Sequence, residues 1–128
     1  MRPPFALLLT GFLVACARGG PAPPPPDPAP VVARVLATLK EAARLDRDHR
    51  TSEADSAWRR AHAVFERDLE PALARLEPDR ELTETEYLFA RIRAEIDQAR
   101  GAPGPVIRQL GERLEDEIAA LPEETPAS

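Results

Sequence analysis

The sequence predicts an all-α protein, an up-and-down four-helix bundle set behind a leader and a proline-rich linker. Three observations predict it. From Val31 onward apolar residues recur at intervals of three and four, the spacing of one helix face, and nothing alternates with the period of two that a half-buried strand shows. Four such stretches occur, each bounded by Pro, Gly, Ser or Thr residues that start or stop helices. The breaks between them are short, and amphipathic helices joined by short turns pack best as antiparallel neighbours. A three-helix core with the first helix loosely attached is the alternative packing.

Residues 1–15 stand outside this fold. A basic start, Met1-Arg2, precedes an apolar segment from Phe5 to Val14 interrupted only by Thr10 and Gly11, and small Ala15 closes it. That is the pattern of a secretory signal. Its apolar part of about 10 residues is well short of the ~20 that a membrane-spanning helix needs. The run Leu13-Val14-Ala15-Cys16 resembles the lipobox of bacterial lipoproteins. The resemblance implies cleavage between Ala15 and Cys16, a diacylglyceryl group on the Cys16 thiol, and a protein held at a membrane of the bacterial cell envelope. Ala17, rather than Asp, follows the cysteine; by similarity to the sorting rule of enteric bacteria this implies the outer membrane, facing the periplasm.

Without residues 1–15, 113 of the 128 residues remain (128 − 15), enough for one small domain. Cys16 is the only cysteine, and lipid would occupy it, so packing rather than disulfides or cysteine-bound metal must hold the domain together. The formal charge of −5 becomes −6 once Arg2 leaves with the leader, and the basic residues are spread along the helices. Nucleic acid is therefore not an expected partner. Residues 16–30 hold the lipidated cysteine and the run ARGGPAPPPPDPAP, which reads as an extended polyproline II tether of at most ~40 Å.

The helical domain is expected to occupy residues 31–122. Its first helix runs from about Pro30 to Asp48, with Pro28 or Pro30 near the first turn and Val32, Val35, Leu36, Leu39 and Ala43 on one face. The second opens at Thr51 or Ser52 as cap, and its stripe runs through Ala54, Trp58, Ala61, Phe65, Leu69, Leu73 and Leu76 before Glu77-Pro78 ends it. Pro71 falls inside that stripe and predicts a bend at Arg67 to Pro71 within one continuous element. The third helix begins at a capping box, Thr83 with Glu86, stapled by Leu82 onto Tyr87. It carries Leu88, Phe89, Ile92, Ile96 and Ala99, and ends at Gly101 as a left-handed cap. The fourth runs from Pro105 through Val106, Ile107, Leu110, Leu114, Ile118 and Leu121 to Pro122. The tail, 123–128, is expected to be disordered.

No GxSxG, GxGxxG or HExxH motif occurs, so no catalytic residue is assigned and the expectation is a non-enzymatic protein. His49 sits in a polar turn with Asp46 and Asp48 and reads as solvated surface. His62 lies within the second stripe between Trp58 and Phe65, with Glu66 one turn on. The pattern Phe65-Glu66 with Glu70, followed by Glu86, Phe89, Ile92 and Arg93, resembles the helical periplasmic extension of bacterial high-affinity iron permeases over the roughly 40 residues from Ala57 to Ile96. The resemblance does not extend to the membrane-spanning permease with its Arg-Glu-x-x-Glu transport motif, and His62 or Trp58 stands where that family has a tyrosine. The resemblance implies extracytoplasmic metal handling, with Glu66, Glu70 and Glu86 at the family's acidic positions.

His62 with these carboxylates would suit iron or another divalent metal that accepts mixed nitrogen and oxygen ligands. The same residues also suit a core-edge histidine bonded to one glutamate while Glu86 serves the capping box. The leading expectation is a lipid-anchored helical module that binds a protein partner or assists a membrane complex, without a cofactor. The alternative is a periplasmic metal-binding accessory of an iron-uptake system.

Overall fold

The computed structural model describes residues 26–75, 80–98 and 100–122. The expected leader, Cys16, most of the expected tether, the expected end of the second helix at Leu76 to Pro78, Ala99 and the tail 123–128 lie outside the described residues. Within them the chain is all-helical, with five helices: α1 Pro28–Arg47, α2 Thr51–Asp68, α3 Glu70–Ala74, α4 Arg80–Asp97 and α5 Pro103–Ala119.

Helix α1 starts earlier than its apolar pattern implies. Pro28 supplies a preset φ in the first turn, and the Asp27 carboxylate accepts a hydrogen bond from the Ala29 N–H at 3.3 Å, so the last residues assigned to the tether belong to the helix. The helix also buries Val31, Val32, Val35, Leu39, Ala42, Ala43 and Leu45 and packs most extensively against α2, so it is an integral member of the core.

A tight turn follows. The His49 N–H bonds to the Asp46 carbonyl at 2.9 Å and the Arg50 N–H to the Leu45 carbonyl at 2.9 Å, the paired pattern of a Schellman cap, with His49 at φ 59°. An L-residue held left-handed costs about 1–2 kcal/mol, and glycine would add some entropy to the unfolded chain. His49→Gly is thus expected to raise stability by about 0.5–1 kcal/mol, checked by thermal denaturation, whereas His49→Val should lower it.

The start of α2 differs from its expected form. Arg50 occupies the cap position without a side-chain cap bond, and Thr51 is already helical. Arg50 and Glu53 pair across the first turn instead.

Pro71 does more than bend the second helix. Proline has no N–H for the Arg67 carbonyl and its ring crowds that carbonyl, so α2 ends at Asp68 and a separate short helix, α3, restarts at Glu70 with Pro71 in its first turn. The apolar phase survives the break. Leu69 and Leu73 are both buried, and the Leu73 N–H bonds back to the Leu69 carbonyl at 3.1 Å.

Two further boundaries are corrected. Helix α4 begins at Arg80, so Thr83 is its fourth residue rather than a cap, and Tyr87 stands exposed instead of stapled under Leu82. Helix α5 begins at Pro103 and ends at Ala119, before Leu121. No described glycine has positive φ, so Gly101 is no left-handed cap. Its lack of a side chain serves close approach, since a Cβ there would lie 1.6 Å from the Glu95 carbonyl oxygen. The Glu95 carboxylate also accepts the Ala102 N–H at 2.9 Å, which fastens the α4–α5 connection.

Helix α1 neighbours α2 and α5, and α4 neighbours α5 and α2, while α3 lies against α2 and α4. Their shared interior holds Leu39, Phe65, Leu69, Phe89, Ile92, Ile96, Leu110 and Leu114, all fully or almost fully buried. No described helix is long and apolar enough to cross a membrane.

Candidate functional site

Helical spacing puts Trp58, His62 and Phe65 on one face of α2, turned toward α4. The Trp58 indole N–H donates to the Phe89 carbonyl at 3.0 Å, and Phe89 sits edge-on to Trp58 and His62, with ring centroids 6.4 and 4.9 Å away. His62 stacks on Trp58 at 5.0 Å with 19° between the planes. On the outer side of Trp58 the Arg93 guanidinium lies 4.9 Å from the ring and pairs with Asp55 at 3.0 Å. The seam between α2 and α4 is thus an aromatic strip edged with charge.

Two of the expected acidic partners meet His62 directly. Its Nδ1 lies 2.8 Å from Glu66 Oε1 and its Nε2 lies 2.8 Å from Glu86 Oε2. The single-carboxylate arrangement is therefore corrected: with Thr83 inside the helix, Glu86 is free of the capping box and reaches across to α2. A ring bridging two carboxylates ties neighbouring helices together and uses both of its nitrogens. Glu70 is not bonded to His62, but it feels the cluster. Burial, and then the nearby carboxylates of Glu86 and Glu66, raise its pKa above the ordinary 4.5, against a lowering by His62. Among the described residues no group of three or more His, Cys, Asp or Glu side chains is arranged to hold a metal ion.

The Glu70 shift has a definite sign. A carboxyl whose folded pKa is raised contributes stability fully present below its unfolded value and lost as pH rises through the folded one. Glu70→Gln is expected to raise the thermal midpoint at neutral pH and to leave it unchanged below pH of about 4, where Glu70 is protonated in both states. Glu41 and Asp68 behave oppositely, because hydrogen bonds from Arg44 and Arg67 lower their pKa values. Their contribution is present above the ordinary carboxylate range and is lost as pH falls through the lowered values. Melting curves of wild type and variant across pH 3 to 8 separate the two signs.

A second polar cluster joins α4 to α5. Thr85 is fully buried (0%), accepts a hydrogen bond from Arg113 Nε at 3.1 Å and donates one to Glu117 Oε1 at 3.1 Å. Arg113 also pairs with Glu117 at 3.0 Å and Glu84 at 2.7 Å. The sequence reading missed this cluster. Its signal lay in the stripe of the third helix: continued backward from Leu88 and Phe89, the spacing of three and four lands on Thr85.

Beside this cluster an open groove of about 790 Å³ runs between α4 and α5 and reaches Leu73 of α3. Leu82, Leu88 and Tyr87 give it one apolar side, polar and charged side chains of α4 and α5 make up the rest, and Tyr87 is 61% exposed. A second groove, of about 670 Å³, lies between α1 and α5. Gly111 narrows that interface, since a Cβ there would lie 3.1 Å from Leu36. Comparison with known proteins finds no family model, no curated protein and no solved structure that matches the chain.

Proposed function

We propose that this chain is a lipoprotein of the bacterial envelope, anchored through diacylglyceryl at Cys16, whose helical domain is a non-enzymatic binding module for a protein partner. The observation that carries the module reading is the open groove between α4 and α5, with exposed Tyr87 on its wall. An aromatic side chain with an apolar body and a polar tip is the type that anchors protein interfaces. An open trough, rather than a closed cavity, suits a segment of protein better than a small molecule.

The proposed bundle is up-and-down, and contact registers support it. Asp55 meets Arg93, Trp58 meets Phe89 and His62 meets Glu86, so positions rise along α2 as they fall along α4. Arg34 with Asp68 across α1 and α2, and Thr85 with Glu117 across α4 and α5, follow the same rule. Asp27 at the start of α1 leaves 16–26 as the spacer from lipid to domain. Two or three acyl chains, at about 0.8 kcal/mol per buried CH₂, would hold the protein at the membrane.

Two measurements test the reading. Full-length protein is expected in the detergent phase on phase separation, and Cys16→Ser should move it to the aqueous phase; a Cys16→Ser variant that stays in the detergent phase with unchanged processing would refute the anchor. A photo-crosslinking amino acid at Tyr87 in cells should give a discrete adduct, absent when the probe is placed at Arg59 on the outer face of α2. Equal labelling at both positions would refute the module.

A second reading, a periplasmic metal-binding accessory, draws on the meeting of His62, Glu66 and Glu86. It requires stoichiometric binding of iron or zinc in calorimetric titration, abolished by His62→Ala.

A further inference from the structure

The groove between α4 and α5 has a charge pattern as well as an apolar lining. Glu112 and Asp116 stand one turn apart on its α5 rim, both exposed, where like charges repel. No ion pair joins either to a described residue. Arg113 lies between them in sequence but is held by Glu84 and Glu117. An apolar lining of Leu82, Leu88 and Tyr87 therefore runs beside a rim of unneutralised carboxylates. An anionic lipid headgroup or nucleic acid would be repelled there, and a second copy of a chain with formal charge −5 would meet net like charge.

Resting on the binding-module reading, we propose that this groove docks a basic amphipathic segment of a partner protein. Its apolar side chains would lie on Leu82 and Tyr87, above the buried Leu88, and its Lys or Arg side chains would meet Glu112 and Asp116. The complementarity is of the helix-in-groove kind, in which apolar anchors supply affinity and flanking charges supply register and rate.

The test uses the full chain in zwitterionic vesicles and a fluorescent synthetic amphipathic helix of Leu and Lys, with the same helix carrying Glu for Lys as control. Micromolar binding is expected for the Lys peptide and none for the Glu peptide. Glu112→Lys/Asp116→Lys and Tyr87→Ala should each weaken binding about tenfold or more, a ratio read directly from Kd. Asp46→Lys/Asp97→Lys, with the same change in net charge outside the groove, should bind as wild type. Circular dichroism establishes that each variant is folded.

Absence of binding, undiminished binding by the groove variants, or equal loss in the control pair would overturn the proposal. So would a wild-type dimer in sedimentation that Tyr87→Ala dissolves, which would assign the groove to a second copy. A crosslinked adduct at Tyr87 in cells without Lys-peptide binding would overturn the basic partner while leaving the module reading intact; failure of both would remove both.

Discussion

Phe89→Ala is expected to destabilise the domain by about 3–5 kcal/mol. Phe89 is fully buried where α4 faces α2, with ring centroids 5.0 Å from Phe65 and 4.9 Å from His62. Removing the ring takes a common contact from Trp58, His62 and Phe65 and leaves a cavity that helices braced by Arg93–Asp55 and His62–Glu86 cannot easily close. The Phe89 carbonyl still accepts the Trp58 indole N–H in the variant, so the loss is one of packing. Small domains have only about 5–15 kcal/mol in total, so the change should lower the urea midpoint steeply. Phe89→Leu, which refills most of the space, should cost much less. A loss below about 1 kcal/mol for Phe89→Ala would mean that the aromatic strip is not part of the core.

Thr85→Val comes next, with an expected cost of about 1–3 kcal/mol. The replacement keeps the branched shape and removes only the hydroxyl, which receives the Arg113 Nε–H and donates to Glu117. Both are charged groups at the α4–α5 seam, where a lost partner is not fully replaced by water. Thr85→Ser retains the hydroxyl and should cost less than Thr85→Val. A double-mutant cycle with Arg113→Met measures the coupling, and additive effects would show that the hydroxyl and guanidinium act independently.

Most of the helical pattern was legible because burial follows periodicity. The residues read as stripes, among them Val35, Leu39, Trp58, Phe65, Phe89, Ile92, Leu110 and Leu114, are those the fold buries. The Thr83 cap was misread because Thr-x-x-Glu is a local signal, and here α4 simply starts one turn earlier. His49 could not be identified as a left-handed residue, since glycine is the usual marker and histidine carries none. Thr85 was overlooked because a threonine on an apolar stripe reads as an interruption until its partners are known.

What the sequence determined by itself is the all-helical class and the apolar faces, since each follows from spacing along one chain; the candidate set of His62, Glu66, Glu70 and Glu86 drew also on the resemblance to the iron-permease extension. Tertiary structure decided which of those carboxylates bridge His62: Glu66 and Glu86 bond it, whereas Glu70 acts only through charge. It also decided that Pro71 divides a helix while leaving Leu69 and Leu73 in the core, and that Tyr87 faces outward beside an acidic rim. The physical reason is common to all three. Periodicity reports which side of a helix is buried, but the partner of a polar group and the angle at a break depend on where another helix stands, and that is fixed by packing between segments distant in sequence.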